Sequence, residues 1–133
     1  TYKVNYYSTF TKLDCEPTHL DFFKRTPDLK KLILNQDAIF VGGGNTKSML
    51  AVWKDWGLDK ILRTAYRNGV VMSGVSAGAI CWFQQGVTDS WSSDLKIMSC
   101  LNFVFLHDLH QVGLSIYFQC ILLRHKLFET HLI

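Results

Sequence analysis

Ala38-Ile39-Phe40-Val41-Gly42-Gly43-Gly44-Asn45-Thr46 and, further along, Val70-Val71-Met72-Ser73-Gly74-Val75-Ser76-Ala77-Gly78-Ala79 decide how this chain folds. Each stretch joins an unbroken apolar run to a glycine-rich turn. A run with no polar alternation suits a strand buried on both faces, as in a parallel sheet covered by helices, better than a half-exposed one. Between the two runs, Met49, Leu50, Trp53 and Trp56 recur at helical spacing up to Gly57. Leu58, Ile61, Leu62, Ala65 and Tyr66 then form a second helical stripe, stopped by Asn68-Gly69. Strand, glycine loop, helices, strand, tight turn and helix in this order predict an α/β protein: an open parallel sheet with helices on both faces.

Upstream, Tyr2, Tyr6, Phe10 and Leu13 repeat at helical spacing, and Cys15 to Leu20 is short enough for a strand. Thr26 as a cap, Pro27 at the first helical position and Asp28 as an early acid precede Leu29, Leu32 and Ile33, predicting a helix that ends near Asn35. Downstream of Gly78, Ile80, Cys81, Trp82 and Phe83 are expected to continue a helix packed on the sheet.

At 133 residues, with 48% apolar and 14% aromatic residues, the chain has enough material for one core and is expected to form a single domain. The formal charge of +3 comes from scattered residues such as Lys24, Lys30, Lys60 and Arg67 rather than from a basic stripe, which argues against nucleic acid as a partner. Cys15, Cys81, Cys100 and Cys120 form no Cys-x-x-Cys pair, so neither a zinc knuckle nor a disulfide framework is expected, and reduced thiols in a cytoplasm are. The longest apolar run, around Val112 to Leu123, is broken by Gly113, Ser115 and Gln119 and falls short of the roughly 20 residues that span a bilayer, so no membrane partner is expected.

Chemistry is expected where the two turns meet, because the carboxyl ends of neighbouring strands form the ligand crevice of an open α/β sheet. In Gly74-x-Ser76-x-Gly78 the glycines permit a sharp strand-to-helix turn that leaves Ser76 Oγ exposed and aims the Ala77 N–H at a developing oxyanion. The plainer reading is a small-residue turn that lets a helix pack closely on a strand. Gly42-Gly43-Gly44-Asn45 lacks the Lys-Ser/Thr of a phosphate loop and no Gly-x-Gly-x-x-Gly is present, so no nucleotide cofactor is expected. Its glycines either simply end a strand or supply further N–H donors at close range to a substrate.

In their residues, order and spacing these stretches resemble the S51 serine peptidases, which include dipeptidase E (aspartyl dipeptidase) and the cyanophycinases. That family has a flavodoxin-like fold similar to class I glutamine amidotransferases. The matching part runs from about Leu29 to Leu101. The resemblance implies that Ser76 is the nucleophile, that Gly43, Gly44 and Ala77 surround the oxyanion hole, that Asn45 lines the substrate site, and that the substrate is a small peptide with an N-terminal aspartate. No cofactor and no metal are expected. Glutamine amidotransferases have Cys where this chain has Ser76, which argues against glutaminase chemistry.

Family members place a histidine beyond the nucleophile helix, typically after a proline; His107 and His110 stand near that distance without one. Asp89 resembles an acidic position of the family, and Glu129 is the carboxylate further along. His107, His110 and Asp108 make an incomplete metal-ligand set. Past Leu101 the chain departs from the family pattern, so 1–133 reads as one partial domain, truncated or frame-shifted, with uncovered sheet edges. A weak or inactive hydrolase, possible as a homo-oligomer, is expected. Two other readings remain open: an inactive remnant that binds a small molecule or partner, and an α/β-hydrolase esterase, which needs an Asp and then a His downstream.

Overall fold

The computed structural model describes residues 2–22, 24–104 and 125–131. The two apolar runs are strands β2 (Ala38–Val41) and β3 (Val71–Gly74), paired in parallel from Ala38↔Val71 to Val41↔Gly74. With β1 (Cys15–Asp21) and β6 (His125–His131) they form one sheet in the order β1-β6-β2-β3, parallel throughout. β6 corrects the expectation that the tail leaves the sheet uncovered there. Its backbone pairs with β1 from Cys15↔His125 to Asp21↔His131 and with β2 from Ala38↔Leu127 to Val41↔Thr130, which satisfies ladder groups on both neighbours.

Side chains alternate across β2, and so do the layers. Ala38 and Phe40 face α1 (Tyr2–Phe10), where Tyr6 is buried beside Tyr7 and Phe10. Tyr6 Oη donates to Thr18 O at 3.2 Å, and Lys3 Nζ pairs with Asp21 at 2.6 Å, fixing α1 on β1. Leu13, expected in the helical stripe, lies beyond the helix and is exposed. Ile39 and Val41 face the other way, into a core with α2 (Leu29–Leu34), α3 (Thr46–Asp55) and α4 (Leu58–Arg67). Ile33, Trp53, Leu58 and Leu62 are fully buried there. Each such side chain contributes about 1.5 to 3 kcal/mol of burial free energy. Helices thus cover both faces, as expected.

Two local expectations are corrected. Asp28, not Thr26, caps α2: its carboxylate accepts from Lys31 N at 3.0 Å, and an Asp at that position satisfies an orphan amide without help from Thr26. The helix after Gly78 is only α5 (Ala77–Ile80). Beyond it, Leu101 N takes the carbonyl of Cys81 at 2.9 Å, and Phe103 N and Val104 N take that of Trp82 at 2.8 and 3.1 Å, carbonyls that a further helical turn would need. The intervening chain is an antiparallel hairpin, β4 (Gln85–Thr88) with β5 (Lys96–Ser99). Among the described residues no helix is long and apolar enough to cross a membrane.

His19 on β1 carries a pH dependence. Its Nδ1 lies 2.8 Å from Tyr7 Oη, and burial, with the Lys3 ammonium adding, holds the imidazole below its ordinary value of 6.5. The unfolded chain therefore binds a proton that the native one refuses. The stabilisation is fully present above 6.5 and is lost as pH falls from there through the lowered native value. Urea midpoints measured from pH 7 down to about 5 should drop for the native protein and fall less for His19→Gln.

Candidate active site

The two glycine turns lie side by side at the carboxyl edge of β2 and β3. Val75 N donates to Val41 O at 3.0 Å, so the chain leaving β3 is fastened to the end of β2. α5 then presses directly on that end. A Cβ built on Gly78 would stand 2.1 Å from Val41 O, and one on Gly74 would stand 2.3 Å from Gly78 O. The packing explanation of these glycines is therefore correct as far as it goes, and it has a consequence for the residue between them. Ser76 is forced to φ 54 and ψ −120, a left-handed backbone that costs a serine about 1 to 3 kcal/mol. Its side chain is exposed.

The second turn meets Ser76 directly. A Cβ built on Gly43 would lie 3.5 Å from Ser76 Cβ and 3.9 Å from Ser76 Oγ. Among the described residues no acceptor takes the backbone N–H of Gly43, Gly44 or Ala77. An exposed hydroxyl beside uncommitted amides is an arrangement suited to attack on a carbonyl whose oxygen becomes negative.

Asn45, expected to line the substrate pocket, is engaged at both ends of its amide. Its Oδ1 accepts from Ser48 N at 2.9 Å and caps α3, while its Nδ2 donates to Ser90 O at 2.7 Å. Reading the sequence for a site missed this capping role, although an Asn just before a helical stripe is an ordinary cap signal. Asn45→Ala should lower unfolding free energy by about 1 to 2 kcal/mol. Asn45→Asp keeps the cap acceptor but not the Nδ2 donor, so it should lose less in the same urea titration.

Asp89 is exposed in the turn after β4, and no described contact brings it to Ser76. His107 and His110 lie outside the described residues. His19 is committed to Tyr7 on the sheet edge opposite β3. Cys81, in the turn that ends α5, is no rival nucleophile: burial pushes its thiol well above the ordinary range, and its Sγ donates to Gly78 O at 3.2 Å. Among the described residues no three His, Cys, Asp or Glu side chains gather as a metal site.

Residues 1–108 match the model of peptidase family S51. The chain is also similar to the Bacillus subtilis (strain 168) protein named "Uncharacterized peptidase YgaJ", with 51% identity over 104 residues, 77% of this chain and 45% of that one. It thus spans about half the length of the curated relative it matches. No solved structure matches it.

Proposed function

Because the chain belongs to peptidase family S51, we propose that it supplies the nucleophile of a serine-type peptidase acting on small peptides with an N-terminal aspartate. Ser76 Oγ attacks the peptide carbonyl and gives its proton to a histidine, His107 or His110. The N–H of Ala77, with those of Gly43 and Gly44, holds the oxyanion. Collapse of the tetrahedral intermediate breaks the C–N bond, the histidine returns the proton to the departing amine, and water then hydrolyses the Ser76 ester. Asp89 or Glu129 orients the histidine.

The observation that carries this reading is the conformation of Ser76: exposed, at φ 54, with Gly43 against its side chain. Packing sets the backbone of this turn, but a serine there bears a strain that glycine would not, and a chemical task for the hydroxyl accounts for its presence. The free thiols of Cys81 and Cys100 support a cytoplasmic place of action. Incubating the purified protein with Asp-Leu, Asn-Leu and Leu-Leu and following the released amino acids tests the proposal. Preferential release from Asp-Leu is expected. Turnover of simple esters with none of the peptides would contradict it and favour an esterase.

A further inference from the structure

The turn after β4 packs on a cation in the first turn of α3, the helix that follows the glycine loop of the site. Thr88 Oγ1 donates to Thr46 Oγ1 at 3.3 Å, Asn45 Nδ2 donates to Ser90 O at 2.7 Å, and Lys47 N donates to Ser90 Oγ at 3.2 Å. These contacts seat Trp91 beside the first turn of α3, with Lys47 Nζ 4.9 Å from the centre of its ring. Both side chains stay open to solvent, Trp91 at 46% exposure.

Neither pairing nor helix stability accounts for a lysine there. Among the described residues no carboxylate lies within ion-pair distance of Lys47 Nζ, Asp89 of the same turn included. A cation in the first turn opposes the helix dipole, and the first turn of α3 holds no acid to offset it. The ring instead holds the ammonium by its π face while leaving the outer side of the charge free. Lys47 follows the Gly43 that touches Ser76 by only four peptide links, at most about 15 Å along the chain. A dipeptide bound at Ser76 extends about 7 Å, and together with the four-carbon lysine stem it covers a span of this order.

We infer that Lys47, held over Trp91, determines specificity by receiving a carboxylate of the substrate peptide, which rests on the peptidase reading above. That carboxylate is either an acidic side chain or the C-terminus, and the two are separable by experiment. Calorimetric titration of the full chain carrying Ser76→Ala, which leaves peptide unconsumed, is run with Asp-Leu, Asn-Leu and Asp-Leu amide. The same titrations are repeated with Lys47→Gln and Lys47→Arg added.

The expected result is that Asp-Leu binds about two- to fivefold more tightly than one neutral analogue, the size of an exposed charge contact. Preference over Asn-Leu assigns the side chain, and preference over the amide assigns the C-terminus. Lys47→Gln should abolish the preference and Lys47→Arg should restore most of it. The inference is overturned if Asp-Leu and both analogues bind alike, if none binds, or if Lys47→Gln weakens all three equally, as a merely structural lysine would. Hydrolysis is scored separately on the protein with Ser76 intact. Lys47-dependent binding without any Ser76-dependent hydrolysis would leave the carboxylate site standing and remove the peptidase reading.

Discussion

Replacing Ser76 with alanine should reduce kcat/KM for Asp-Leu at least about a thousandfold, because loss of the nucleophile leaves only binding and oxyanion stabilisation. Stability should hardly change, since alanine at φ 54 meets the same backbone strain as serine and the Ser76 hydroxyl has no hydrogen-bond partner among the described residues. Ser76→Gly provides the complementary result. It should be equally inactive yet more stable by about 1 kcal/mol, as relief of strain exceeds the extra entropy of an unfolded glycine. A residue retained for structure would give the reverse: activity unchanged in Ser76→Ala and no gain in Ser76→Gly. Peptide release assays and urea titrations on the three proteins separate the two.

Gly78→Ala should be severely damaging for a single added methyl. Its Cβ would sit 2.1 Å from Val41 O and 2.6 Å from Gly42 O, and both are backbone atoms that cannot swing aside. Relief requires α5 to lift off β2, which carries Ser76 away from Gly43. A loss of about 3 kcal/mol or more is expected, a large part of the stability of a small domain, with activity lost in whatever remains folded. Gly69→Ala is the control: nothing lies within 4 Å of its Cβ, so only the strain of φ +88 is felt, about 1 kcal/mol. Equal midpoints for the two variants would mean that the turns are not packed as described.

What could be read from the sequence followed physical rules of differing reach. β2 was legible because an unbroken apolar run is what a doubly covered parallel strand requires; β3 was legible as a strand by the same signal, but it is the edge strand of the described sheet and only half-buried. β6 was not, because His125-Lys126-Leu127-Phe128-Glu129-Thr130-His131 mixes charged and apolar residues without either strand pattern. The β4–β5 hairpin was missed for a related reason: Val87 and Ile97 pair across it yet both are exposed, so apolar residues there do not report burial. At the site, the juxtaposition of Ser76 and Gly43 followed from two turns ending adjacent parallel strands. The Asn45 cap was locally signalled, but the bond of its Nδ2 to Ser90 O and the meeting of Lys47 with Trp91 depend on where the hairpin folds back, and no local pattern encodes that.

Reaction of the full chain with a fluorophosphonate, which phosphonylates an activated serine hydroxyl, tests most directly whether Ser76 is the nucleophile. Intact-mass and peptide-mapping spectrometry should find one adduct, on Ser76, absent from Ser76→Ala and formed more slowly in the presence of Asp-Leu. An adduct on another residue, equal labelling of Ser76→Ala, or no adduct on the folded native protein would contradict the account.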